Sequence, residues 1–175
     1  MKQYLGILIF LISTITANAQ GSENKPDFVS PVDINIFLSG TFGELRSDHF
    51  HSGIDIRTNG TPGLPIRSVA DGYIARIKVS PGGFGKTLYI SHPNGYMSVY
   101  AHLDQFIEIV EEYVRSEQYR MESYYVNLFP EKDRFPVKKG QIIARSGNSG
   151  YSFGPHLHFE IRDDGTQEPL NPQLF

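Results

Sequence analysis

The chain has 175 residues, with 16 basic and 19 acidic side chains, a formal net charge of −3 at pH 7, six histidines and no cysteine. Without a basic excess it carries no electrostatic footprint for nucleic acid or an anionic membrane surface, and without thiols it can form neither a disulfide framework nor a thiolate metal site. A soft-metal site here has to be built from imidazole and carboxylate, the donor set of an open catalytic zinc rather than of a closed structural one.

Lys2 precedes an apolar run over residues 5–12, and Ala17, Asn18 and Ala19 close the polar stretch behind it. That order predicts a secretory signal peptide over residues 1–19. The run is about half the roughly 20 residues needed to span a bilayer, and no cysteine stands at the cleavage point to take a lipid. An exported chain, periplasmic or extracellular and without a stable membrane anchor, is expected. Residues 20–34 are polar and read as a linker; residues 35–175 are enough for one domain with its own core.

Short β-branched and aromatic runs follow at residues 66–69, 73–79, 87–91, 97–101, 141–144 and 157–162. Turn signals separate them: Asp71 with Gly72, residues 81–85, and Pro93 with Asn94 and Gly95. The pattern predicts a mainly β domain, an antiparallel sheet or barrel. One segment departs from it. From Asp104, read as an N-cap, Phe106, Val110, Tyr113 and Val114 recur at helical spacing among Glu108, Glu111, Glu112 and Arg115, so an amphipathic helix is expected over 104 to about 120. Residues 121–136, rich in Tyr and Phe and ending at Pro136, read as an irregular excursion. The apolar finish, Leu174 and Phe175, either packs on the domain or marks where a longer chain continues.

The chemistry concentrates in histidines. On a flat strand His51 and Asp55 would share a face but stand roughly 13 Å apart. One metal cannot bridge that gap, so the chain must bend, and Gly53 permits a bend or a close backbone approach. We expect a loop delivering His51 into a strand that starts near Ile54. His156 and His158, two apart on a strand, point the same way at about 6.5 Å with Leu157 facing the core. Only one of the two needs to touch a metal; its neighbour then lies within reach of whatever the metal binds. Two imidazoles and one carboxylate make a three-ligand zinc site with an open fourth position.

Five blocks carry a family resemblance: His51 to Asp55 (His-Ser-Gly-Ile-Asp), Val69 to Gly72 (Val-Ala-Asp-Gly), Val99 to Leu103 (Val-Tyr-Ala-His-Leu), Val137 to Gln141 (Val-Lys-Lys-Gly-Gln), and Gly154 to Glu160 (Gly-Pro-His-Leu-His-Phe-Glu). In this order, and over roughly residues 37–173, the chain resembles the lysostaphin/LytM-type zinc endopeptidases, the duplicated-hybrid-motif peptidases that cut peptidoglycan. The resemblance implies one zinc held by His51, Asp55 and His158, with His102 and His156 as the catalytic histidines. It also implies hydrolysis of peptide cross-links in bacterial peptidoglycan through a zinc-activated water. Which histidine is base and which stabilises the oxyanion stays open. The alternative it carries is a noncatalytic relative that binds the wall or activates an amidase; such regulators lose part of the ligand set, whereas every position is filled here. The departure is the insertion at about 104–136, which follows His102 directly and is expected to form one wall of the substrate groove. The family's transition-state hydroxyl or arginine is not placed by any motif.

Other features read more simply. His49 is a surface residue or an alternative ligand, His92 orients a hairpin, and Asp71 is a turn residue. Gly82, Gly83 and Gly85 lack the following helix of a phosphate loop and read as a hairpin tip near the groove. Lys138 and Lys139 mark a turn, and Glu108, Glu111 and Glu112 a solvated helix face.

Overall fold

A computed structural model describes residues 26–175. The expected signal peptide and residues 20–25 of the expected linker lie outside the described residues. In chain order the strands are β1 (Leu38–Gly40), β2 (Ile54–Arg57), β3 (Pro65–Arg67), β4 (Gly72–Val79), β5 (Lys86–Ser91), β6 (Tyr96–Phe106), β7 (Val126–Leu128), β8 (Pro136–Val137), β9 (Ile142–Ser146), β10 (His156–Asp163) and β11 (Pro169–Leu170). A helix, α1 (Glu108–Arg120), follows β6. The domain is mainly β. Every pairing is antiparallel, along the path β1-β2-β10-β6-β5-β4-β7, and β9 ties β3 to the far half of β6.

Strand alternation sorts side chains onto two faces. Inward go Ile54 and Ile56 of β2, Leu157, Phe159 and Ile161 of β10, Tyr100 of β6, Leu88 and Ile90 of β5, and Ile74, Ile77 and Val79 of β4, which fill one large apolar cluster. Outward go Asp55, His158, Glu160 and Arg162, together with a small cluster of Tyr89, Met97 and Val99. The candidate site therefore lies on the outer face, supported from behind by the core.

β6 is bent in the middle. His102 has φ of 57°, a left-handed conformation uncommon for a residue with a side chain. Up to Ala101 the strand pairs with β10 and β5; beyond the bend Leu103 pairs with both Lys86 of β5 and Ser146 of β9, and Gln105 and Phe106 continue along β9. This changes the expected helix start. Asp104 is a strand residue, and the helix begins at Glu108 after Ile107, with no side-chain cap. The Ile107 N–H that an Asp104 cap would have needed is taken by the Ile143 carbonyl of β9 (3.1 Å). Glu111 reaches back instead, its carboxylate accepting from Phe106 N–H (3.0 Å) and from Lys86 Nζ (2.8 Å), so it is not the solvated residue the charge pattern suggests.

Val110 and Val114 bury into the inner cluster beside Val126, Leu128 and Phe135. The aromatic segment after the helix is thus not wholly irregular: β7 within it pairs with β4, extending the sheet by one strand. Nor does chain packing wait for residue 35. Val32 is 2 % exposed, Val29 N–H bonds to the Val69 carbonyl (2.9 Å), and the Phe28 ring lies 5.8 Å from that of Phe175, so the last part of the polar stretch is packed on the domain. Among the described residues no helix is long and apolar enough to cross a membrane.

Candidate functional site

The loop between β1 and β2 folds back through a bridge between Leu45 and Phe50 and returns His51 to the sheet. Gly43 N–H bonds to the His51 carbonyl and His51 N–H to the Glu44 carbonyl, both at 2.8 Å. The turn into β2 passes so close to β10 that a Cβ on Gly53 would overlap the Phe159 carbonyl oxygen and stand 2.8 Å from Glu160 Cγ. Glycine is needed there for approach rather than for φ. The result is that His51 Nε2 lies 3.1 Å from Asp55 Oδ1 without a helix between them.

The register of β2 with β10 sets His158 opposite Asp55. His158 Nδ1 stands 3.0 Å from Asp55 Oδ1 and 3.0 Å from His51 Nε2, and one ligand atom from each of the three residues falls within 4.8 Å of the others. All three side chains are buried. Each imidazole is fixed from behind. His51 Nδ1–H donates to the Thr41 carbonyl (2.8 Å), and His158 Nε2–H donates to Glu160 (2.9 Å), which leaves His51 Nε2 and His158 Nδ1 facing Asp55, where each bonds the carboxylate when it carries a second proton and offers a lone pair when it does not.

Burial works to raise the Asp55 pKa, but hydrogen bonds with His156, His158 and His51 outweigh it and hold the carboxyl far below the usual carboxylate range. Burial opposes charge on His158, yet Asp55 and Glu160 on either side carry its pKa above the ordinary value. The negative field that favours a proton there also favours a cation, and the donors converge, so this set fits a divalent ion.

His156, at the start of β10, donates Nδ1–H to the Gly154 carbonyl (2.8 Å) and turns Nε2 to within 3.5 Å of Asp55 Oδ1. His102 donates Nδ1–H to the Ser149 carbonyl (2.8 Å), and its ring centroid is 4.7 Å from that of His156. Burial is the main influence on His102 and pushes its pKa down to about 4, against the Ser149 bond. All five histidine and aspartate positions singled out in the sequence thus meet. His49 does not join them; it is exposed and pairs with Asp48 (2.6 Å). His92 is buried elsewhere, between the Asp71 carbonyl (2.8 Å) and the Ser98 hydroxyl (2.7 Å).

The glycine-rich tip does reach the site: Phe84, between Gly83 and Gly85, places its ring 4.7 Å from His158 and 6.3 Å from His102. The loops bearing His51 and His156 also expose Leu45, Phe50, Tyr151 and Phe153.

Three neighbours escaped the sequence reading. Glu160 is fully buried; one of its carboxylate oxygens takes His158 and the Ser52 hydroxyl, and the other takes Arg162 Nε (2.6 Å). Its place two residues beyond His158 on one strand face was a usable signal, as was that of Arg162 two further on. Arg46, whose Nη2 lies 2.9 Å from Asp55 Oδ2, had none, because only the folded loop brings it there.

Residues 49–119 and 112–172 match the family model of peptidase family M23. The DD-carboxypeptidase/endopeptidase Mpg of Neisseria meningitidis is 33 % identical over 128 residues, 73 % of this chain and 23 % of that protein. The murein hydrolase activator NlpD of Escherichia coli is 34 % identical over 132 residues, 75 % of this chain and 27 % of that protein. The chain therefore spans about a quarter of the length of these relatives. A zinc-containing peptidase from Vibrio cholerae superposes with a TM-score of 0.59 at 27 % identity, covering 81 % of this chain and 37 % of that one. The matched residues span well over half of the chain and take in His51, Asp55, His102, His156 and His158 alike: the protein belongs to peptidase family M23.

Proposed function

We propose that this chain is an exported zinc-dependent endopeptidase that hydrolyses peptide cross-links of bacterial peptidoglycan. His51 Nε2, Asp55 Oδ1 and His158 Nδ1 would hold one zinc ion. The observation that carries the reading is the convergence of these three donors within 4.8 Å while the remote nitrogen of each imidazole is already committed as a hydrogen-bond donor. A zinc ion in such a site supplies Lewis acidity, making water nucleophilic near neutral pH and polarising a scissile carbonyl.

The remaining chemistry falls to His102 and His156. With Nδ1–H of each given to a backbone carbonyl, both rings present Nε2 to the space beside the three donors. One ring takes the proton of the attacking water at Nε2 and can pass it on to the leaving amine; a ring whose Nδ1–H is already given to a carbonyl donates Nε2–H to the oxyanion of the tetrahedral intermediate only as the imidazolium. The Ser149 and Gly154 carbonyls hold the two rings in orientation, so little reorganisation is needed during the reaction.

The relatives named for endopeptidase activity and for activation of murein hydrolases point to the same wall polymer but to different roles. The likeness to NlpD favours a second reading, a noncatalytic activator. The complete set of five residues supports the enzyme. Incubating the zinc-loaded protein with purified wall fragments and identifying new termini by mass spectrometry tests this, with a chelator control. New peptide termini that vanish on chelation support the endopeptidase. No new termini, together with stimulation of a separate wall amidase, would establish the activator instead.

A further inference from the structure

On the outer face of the sheet, Glu160 of β10, Val99 of β6, Tyr89 of β5 and Arg76 of β4 lie in one row across four strands. Arg76 stacks over the Tyr89 ring at 4.7 Å from its centroid, and Arg162 approaches the same ring at 5.9 Å. The inserted segment completes the arrangement. Its Asn127 Oδ1 accepts from Arg76 Nε (2.7 Å), and its Phe129 ring lies 5.4 Å from the guanidinium.

Both guanidinium groups are anchored in the same way. Nε is taken, by Asn127 for Arg76 and by Glu160 for Arg162, while the terminal nitrogens donate to nothing among the described residues. Nor are those nitrogens sealed in, since Arg46 Nε is the buried side-chain nitrogen left without a partner among the described residues. Arg76 forms no ion pair among the described residues, and neither does Lys78, two residues along the same strand. Glu160 is buried and fully used, and the neighbouring Asp164 is held by the Ser91 hydroxyl (2.6 Å). A planar cation with Nε fixed, its faces stacked and its outer edge open is a fork pre-set for a carboxylate.

We propose that Arg76, seated on Tyr89 and held by Asn127 and Phe129 of the insertion, is a specificity-determining residue that receives a free carboxylate of the substrate peptide, with Arg162 beside it. The proposal rests on the endopeptidase reading and names a substrate feature for that site. Arg76 is three strands from His158 and two residues along, a separation of roughly 16 Å from strand spacing and rise. An extended peptide covers that distance in about four to five residues. The carboxylate recognised is therefore remote from the bond that is cut, and the ligand is an acidic stem peptide rather than a neutral glycine-rich one.

The test uses the full chain and peptidoglycan stem peptides whose free carboxylates are intact or converted to carboxamides. Affinity is measured on metal-free protein and kcat/KM on zinc-loaded protein. The wild type should bind and cut the acid form about tenfold or more better than the amide, the scale of a charge-assisted hydrogen bond. Arg76→Gln should bring that ratio close to one. Arg76→Lys, which keeps charge but loses the fork, should fall between, and Asn127→Ala should lower the ratio without removing a charge. Equal treatment of acid and amide by the wild type, or an unchanged ratio in folded Arg76→Gln, overturns the proposal. Acid-selective binding without cleavage would uphold the subsite and overturn the endopeptidase reading; cleavage without selectivity would do the reverse.

Discussion

Glu160→Gln separates the site's support from its ligands. In the wild type one carboxylate oxygen accepts from both His158 Nε2 and Ser52, and the other accepts from Arg162 Nε. Glutamine can supply only one acceptor oxygen. If that oxygen stays with His158, an NH₂ group faces the Arg162 donor; if it turns to Arg162, an NH₂ group faces His158 and forces the other tautomer, removing the Nδ1 lone pair from Asp55. The buried charge that balances Arg162 and His158 is lost either way. Loss of a charged hydrogen bond in a buried network costs about 2 kcal/mol, read as a lower denaturation midpoint in excess chelator. Loss of the carboxylate behind a metal-binding imidazole weakens metal affinity about 10- to 100-fold, read by competition with a chromogenic chelator. The two measurements distinguish positioning from packing. If folded Glu160→Gln binds zinc as tightly as the wild type while its stability falls, Glu160 serves only the fold and the argument for it as a positioning residue is refuted.

Asp55→Ala should leave the domain folded and lower zinc affinity about tenfold or more, measured by the same competition; tight stoichiometric zinc in this variant would remove Asp55 from the ligand set. His102→Ala and His156→Ala should each retain zinc and lose about 100-fold in turnover on wall fragments, and near-normal cleavage by both would show that neither ring handles the proton. His92 provides a pH prediction away from the metal. Burial lowers its pKa, against the Asp71 and Asp164 charges and the Asp71 carbonyl bond that work to raise it. The unfolded chain therefore takes up this proton first, so His92 contributes stability above pH about 6.5 that is lost progressively as pH falls through its lowered folded value. Urea unfolding from pH 7.5 to 5 should show a shallower decline for His92→Gln than for the wild type, and parallel declines would contradict the assignment.

Much of the site was legible because strand alternation is a local rule. His156 and His158 at a spacing of two, and an aspartate four beyond His51 across a glycine, announce one shared face and one bend. The longer apolar runs likewise gave β4, β5, β9 and β10 to within a few residues and the first half of β6, whose second half carries the signals of a helix start. What failed to show depends on partners distant in sequence. Asp104 has the chemistry of a cap, but the N–H groups it would need are taken, that of Phe106 by the Glu111 carboxylate and that of Ile107 by the Ile143 carbonyl of β9. Residues 126–128 alternate apolar, polar, apolar, a run too short to announce a strand by itself, and they pair with β4 at its open edge. Arg46 is joined to Asp55 by a loop closure, and Arg76 to Asn127 by the path of the insertion; no spacing rule contains either contact.

The insertion was expected to wall the groove; its helix packs on the inner core, and the segment after it serves both faces of the sheet, with Val126, Leu128 and Phe135 turned inward. The helix spends its apolar side, Val110 and Val114, on the inner core, whereas Asn127 and Phe129 reach the outer face. Excising the whole segment would therefore open the core as well as alter the groove, which is why single substitutions at Asn127 or Arg76 are the sharper probes. Register makes such probes interpretable. His156, His158, Glu160 and Arg162 occupy alternate positions of β10, and the fully or nearly fully buried Leu157, Phe159 and Ile161 occupy the positions between. A slip of one residue would turn the imidazole-, carboxylate- and guanidinium-bearing side chains into the core together and expose three large apolar ones. The apolar half of β10 thus pins the register that lets its polar half work, and a substitution confined to the outer face can change chemistry or selectivity without moving the strand.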